Sequence, residues 1–102
     1  MVDRTRRARD YLKLESQVAD ILREHDPVSL ISGGAPDDEY SLEVGFILPC
    51  LREAESAADV SRLVRAEFIR CFSTEMAGPL SIYEPVGEPI WAAWIEFKRG
   101  AV

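Results

Sequence analysis

The chain has 102 residues, a net charge of −6, 47% hydrophobic residues and 29% charged residues. That is one domain's worth of sequence with enough apolar content to bury a core, so intrinsic disorder and a disulfide-stapled mini-protein are both excluded. The charge is uneven: residues 1–13 hold five bases and two acids, a net of +3, whereas residues 14–102 hold seven bases and sixteen acids, a net of −9.

An acidic body repels phosphate and favours basic partners, so a basic protein is the expected partner class and nucleic acid is not expected. A short basic lead occupies about residues 1–9. The longest strictly apolar run is residues 90–95, far below the roughly 18 needed to span a bilayer. The N-terminal stretch runs into Asp10, Lys13 and Glu15 where a signal peptide would be apolar. No membrane role is expected, and a cytoplasmic, reducing setting is.

Taken in chain order, the pattern predicts an all-α fold of four helices in a compact orthogonal or bundle-like packing, forming a single domain over 1–102. The first helix spans about 4–25. Tyr11, Leu14, Val18, Ile21, Leu22 and His25 recur at steps of three and four, which builds one apolar stripe. Pro27 disfavours helical backbone at Asp26 and should end the helix near His25. Residues 26–36 read as a loop, with Pro27, Gly33, Gly34 and Pro36 as its punctuation.

The second helix is predicted over 36–54. Pro36 suits a first turn, and Asp37, Asp38 and Glu39 suit the positive end of the helix dipole. Tyr40, Val44, Ile47, Leu48 and Leu51 form one face, with Leu42, Phe46 and Cys50 on part of another. Such apolar girth marks a central helix, which Pro49 should kink or end early. The third helix spans about 57–72. Ser56 and Asp59 read as a capping-box variant, and Val60, Leu63, Val64, Phe68, Cys71 and Phe72 form the buried stripe.

Residues 79–88 contain Pro79, Pro85 and Gly87 and read as irregular. A last helix is predicted over about 86–98, its end marked by Lys98, Arg99 and Gly100. A strand over 90–97 is the competing reading, but Trp91-Ala92-Ala93-Trp94 does not alternate apolar with polar. The predicted core comprises Leu14, Val18, Ile21, Leu22, Val44, Ile47, Leu48, Leu51, Leu63, Val64, Phe68, Phe72, Ile90 and Trp94.

Candidate chemistry is sparse. Gly33-Gly34 precedes a helix, but the acids at 37–39 would repel a phosphate, so a turn is the reading. Asp37, Asp38, Glu39 and Glu43 lack the spacing of a calcium loop. Helix-start charge explains the first three without a metal. His25 beside Asp26 is the one acid–base candidate, and a histidine at a helix C-terminus is also favoured by the dipole. Cys50 and Cys71 lie within apolar stripes and read as inert thiols rather than zinc ligands or nucleophiles. No serine-hydrolase, zinc-protease or dinucleotide motif occurs. No cofactor and no metal is implied, and the chain does not read as an enzyme.

Asp26-Pro27-Val28, Gly34-Ala35-Pro36-Asp37-Asp38-Glu39-Tyr40 and Ile47-Leu48-Pro49 together resemble a group of short bacterial proteins of unknown function, the YugE-like family of small helical domains. The likeness covers about residues 18–72 and is centred on the loop–helix junction. It implies an all-helical fold and a bacterial cytoplasmic setting, and it carries no activity and no functional residue.

The function that composition favours is a protein-interaction module, of which an immunity-like or antitoxin-like protein that neutralises a basic toxin is a concrete form. Asp37, Asp38, Glu39 and Glu43 would steer the partner, and Tyr40 or Trp91 would anchor it. Whether Trp91 and Trp94 are core or interface stays open at this stage. The alternative is a small-ligand binder or enzyme using His25 and the acids near it.

Overall fold

The computed structural model describes residues 3–27 and 41–100, with side chains described over 8–27 and 43–99. Five α-helices are present among the described residues: α1 (Asp3–His25), α2 (Ser41–Cys50), α3 (Ala57–Cys71), α4 (Thr74–Ala77) and α5 (Glu84–Gly100). Two 3-10 turns join them, Leu51–Glu53 after α2 and Leu80–Ile82 before α5. No strand occurs among the described residues, so the fold is all-α and residues 90–97 are helix.

The helix α1 ends where Pro27 demands it. Asp26 adopts a left-handed backbone (φ 48°) and donates its N–H to the Leu22 carbonyl at 2.7 Å, closing the last turn. The predicted start of the second helix, with Pro36, lies outside the described residues. Its end falls early: Pro49 withholds an N–H from the ladder, the α-helix stops at Cys50, and the chain tightens into the 3-10 turn.

The helix α3 starts on a double cap. Ser56 Oγ accepts the Asp59 N–H at 3.1 Å, and Asp59 Oδ2 accepts the Glu55 N–H at 2.9 Å. A capping-box Glu reaches the N-cap residue itself; the shorter Asp serves the residue before it. The Glu55 N–H, and then the Arg62 guanidinium, hold the Asp59 carboxyl below its ordinary range.

One hydrophobic cluster runs through α1, α2, α3 and α5. Leu14, Val18, Leu22, Val44, Ile47, Leu48, Leu51, Val64, Phe68 and Ile90 are buried as predicted. Ile21, Leu63, Phe72 and Trp94 sit at its margin, partly buried against it. Tyr11 and His25, the two ends of the predicted α1 stripe, are exposed. The cluster also takes in Val60, Tyr83, Val86, Ala54, Ala77 and Ala93.

The segment between α3 and α5 is more ordered than Pro79, Pro85 and Gly87 suggest. Ser73 caps the four-residue α4 by accepting the Met76 N–H at 3.0 Å. Gly78 ends α4 with φ 76°, a backbone that other residues adopt only under strain, and a Cβ there would meet Ile82 Cδ1 at 2.7 Å. Arg65 Nε donates to the Gly78 carbonyl at 2.9 Å, tying the turn back to α3. Tyr83 is fully buried, its ring edge-on to Phe68 (5.4 Å between centroids), and its hydroxyl donates to the Ala77 carbonyl at 2.6 Å. α5 then begins at Glu84, two residues ahead of the predicted 86. Pro85 falls in the first turn, where its missing N–H is no loss.

The helices α3 and α5 cross in close contact. A Cβ on Gly87 would lie 2.0 Å from Ser61 Oγ and 2.7 Å from the Ala57 carbonyl oxygen. Ser61 itself is buried and turns its hydroxyl onto that carbonyl at 3.3 Å. Gly87→Ala therefore sets helix propensity against overlap with backbone. Alanine is favoured by about 1 kcal/mol in a helix, whereas overpacking costs about 1–3 kcal/mol. The expected result is a net loss of stability in urea unfolding, and a more stable Gly87→Ala protein would show that the helices slide apart freely.

Burial pushes the Tyr83 hydroxyl up to about 12 from an ordinary value of 10. Because the folded value lies above the unfolded one, the stability this proton contributes is complete below pH 10 and is lost between about pH 10 and 12. Tyr83→Phe should cost about 1–3 kcal/mol at pH 7 by stranding the Ala77 carbonyl, and it should flatten the fall in stability between pH 10 and 12. Urea titrations of both proteins at pH 9 and pH 11.5 check this; equal losses in the two would remove Tyr83 as the cause.

Candidate functional site

Of the residues expected to contact a partner, Asp37, Asp38, Glu39 and Tyr40 lie outside the described residues. Glu43 does not belong to a surface patch, because it is buried at 4% exposure. It sits one turn before Ile47 on α2 and so falls on the inward stripe of a helix that is apolar nearly all round. The Cys71 thiol is raised first by burial and then by the negative charge of the Glu43 carboxylate. Trp91 is half-buried and packs on the core.

Trp94 is half-buried too. Its ring stacks on Phe97 (5.6 Å, 23°), Phe97 meets Tyr11 of α1 edge-on (6.0 Å), and the Lys98 ammonium lies 5.7 Å from the Trp94 ring centre. These aromatic contacts fasten the end of α5 to the beginning of α1. The two tryptophans are thus margins of the core rather than free anchors.

His25 is exposed at the end of α1 and lines neither of the grooves described below. A general base needs an oriented proton acceptor within reach of a bound substrate. Neither groove supplies that geometry around His25.

Both thiols lie beside Arg70 between α2 and α3. Glu67 Oε1 accepts from Arg70 Nε (3.1 Å) and Nη2 (2.7 Å), and the guanidinium lies 4.4 Å from the Phe46 ring centre. Cys50 Sγ points at the Phe46 carbonyl at 3.5 Å. Burial raises both thiols first, then Glu67 for Cys50 and Glu43 for Cys71, and Arg70 offsets this only in part. No group of three His, Cys, Asp or Glu side chains close enough to hold a metal occurs among the described residues.

Two grooves flank α1. One, of about 320 Å³, lies between α1 and α2 and is lined by Leu12, Glu15, Ser16, Ala19 and Val44. The other, of about 410 Å³, lies between α1 and α5 and is lined by Gln17, Asp20, Ile21, Pro89, Ala92, Ala93 and Glu96. In the second, apolar atoms form the floor and two carboxylates stand at the rim. Asp20 pairs with Arg23 on its own helix, and Glu96 pairs with Lys13 at 3.7 Å. Both pairs are well exposed, so each is worth only about 0.2–1 kcal/mol and exchanges readily for another cation. Glu88, exposed and two turns ahead of Glu96, continues the acidic edge along the α5 face that carries Ala92.

The packing redistributes charge in a way that counting along the chain misses. Tyr11 against Phe97, Lys13 against Glu96 and the Asp20–Pro89 groove show that α1 and α5 run antiparallel. Lys98 and Arg99 therefore join Arg9 and Lys13 at one end of the molecule, four of the twelve basic residues. The acidic character belongs to the rest of the fold.

No helix among the described residues is long and apolar enough to cross a membrane. No family model, no curated protein and no solved structure matches this chain.

Raised thiols have a measurable consequence, since the thiolate is the reacting form. Cys50 and Cys71 should react with a chromogenic disulfide at pH 7 more slowly in the folded chain than in the same chain in urea. Equal rates would mean that α2 and α3 leave the sulfurs open.

Proposed function

We propose that this chain is a protein-binding module rather than an enzyme, and that the groove between α1 and α5 takes a basic segment of its partner. The observation that carries the reading is the pairing of an apolar floor, Ile21, Pro89, Ala92 and Ala93, with carboxylates at its rim, Asp20 and Glu96. A lysine or arginine has an apolar stem and a charged tip, and such a groove receives both parts. The net charge of −6 adds long-range attraction for a basic partner and speeds the encounter. An immunity-like or antitoxin-like protein in the bacterial cytoplasm, neutralising a basic toxin, is the concrete form, and the likeness to the YugE-like family is compatible with it. The acidic stretch 37–39 would steer the same partner. The competing reading, a ligand binder or enzyme using His25, draws no support from these two grooves, since His25 lines neither.

The test is capture from the native cell's lysate at low and high salt, with the wild-type chain beside a Glu88→Lys/Glu96→Lys variant. The expected result is one basic protein held by the wild type at low salt, weakened at high salt and lost with the variant. Equal capture by the variant would move the contact off this groove. An empty capture at both salts would return weight to a small-molecule role.

A further inference from the structure

The groove on the opposite flank of α1 has a different character. Leu12, at 62% exposure, is the most exposed of the large apolar side chains described. It stands at one end of a hollow formed with Glu15, Ser16, Ala19 and Val44. On a helix of 3.6 residues per turn, Ala8, Leu12, Ser16, Ala19 and Arg23 fall along one outward strip. The strip thus offers one protruding apolar side chain and, one to two turns on, a shallow site made by small residues. A surface that carries both a knob and its hole is self-complementary under a two-fold axis.

The charges beside this strip obey the same symmetry. Arg9 and Lys13 lie along one border of the strip near the start of α1, and Asp20 and Glu24 continue that border near its end. Arg9 and Glu24 are equally distant from the point between Ser16 and Gln17, and so are Lys13 and Asp20. When two such helices pair antiparallel about that point, the same border of each lies on the same side. Arg9 of one copy then faces Glu24 of the other and Lys13 faces Asp20, each twice. A parallel pairing would instead set like charges against each other.

From this we infer that α1 is a homodimer interface, pairing antiparallel with the α1 of a second copy of this chain. The axis passes beside Ser16, whose small side chain lets the helices approach. Leu12 of each copy packs on the other strip just beyond Ala19, and four cross-copy ion pairs fix the register. The contact shares Asp20 with the groove proposed for the basic partner, which otherwise uses the α5 side of α1.

Sedimentation velocity of the full chain over a range of concentrations reads the outcome directly. The wild type is expected to show a monomer–dimer equilibrium, and Leu12→Glu is expected to raise the dissociation constant by about tenfold or more. Arg9→Glu and Glu24→Arg should each weaken the dimer, and the double variant Arg9→Glu/Glu24→Arg should restore it, because the reversed pairs again match. All three residues are exposed, and circular dichroism of each variant confirms that the helices are kept. A monomer at every concentration overturns the inference. A dimer indifferent to Leu12→Glu, or one not rescued by the double reversal, overturns it equally. Loss of basic-protein capture leaves this result unchanged, so the two readings fail separately.

Discussion

Everything in this fold hangs on how closely α5 lies against α3. Gly87 presents only hydrogen to Ser61 and to the Ala57 carbonyl, and any side chain there would overlap backbone. Close approach at that point brings Val86 and Ile90 into the core at zero exposure, beside Val60, Val64 and Phe68. Tyr83 locks the same crossing from its end, with its ring against Phe68 and its hydroxyl on Ala77. Buried polar groups are tolerated when fully hydrogen-bonded, and the Tyr83–Ala77 bond meets that condition at the turn where the chain reverses. With α5 held so, its other side is left for α1, and both flanks of α1 stand open to solvent.

The crossing also explains how α5 survives its own sequence. Two prolines and a glycine within residues 85–89 argue for a broken chain when read locally. Pro85 falls in the first turn, and Pro89 deprives only the exposed Pro85 of a partner for its carbonyl, which water can supply. The helical ladder begins anyway, with the Val86 and Gly87 N–H groups both on the Tyr83 carbonyl. Burial of Val86 and Ile90, at about 1.5–3 kcal/mol each, outweighs the local penalty. Here a tertiary contact overrides propensity, and no local reading of the residues contains that contact.

What was legible in the sequence follows the same division. The periodic stripes of α1 and α3 located both helices to within about a residue, because an amphipathic pattern is itself the cause of burial. The early end of α2 at Pro49 and the end of α1 before Pro27 were legible for the same reason, since proline acts locally. Tyr83 was not: a tyrosine among prolines gives no period, and its burial depends on Phe68, fifteen positions away. Glu43 was misread as a surface acid because charge usually marks solvent, although its spacing to Ile47 placed it on the inward stripe. The basic end of the molecule was split between two chain segments and becomes visible only when α1 and α5 are known to be antiparallel. Trp91 and Trp94 carried no signal that separates core from interface; both pack partly buried against the core, with Trp94 stacked on Phe97 and Phe97 edge-on to Tyr11.

The two surfaces of α1 differ in how they feel salt, and this follows from charge alone. A basic partner is drawn to a chain of charge −6 at long range and at contact, so screening weakens both parts of the attraction. Two copies of the chain repel at long range for the same reason, while Arg9 and Glu24 attract only when the helices touch. Salt near the physiological range has a screening length of about 8 Å. It suppresses repulsion between whole molecules more than it suppresses pairs in contact at about 4 Å. The apolar contact of Leu12 in its hollow is not weakened by salt at all. The proposed self-association through the α2 side of α1 and the proposed capture of a basic protein through its α5 side should therefore move in opposite directions as salt rises from low values, because the charged border of α1 runs from basic to acidic along its length.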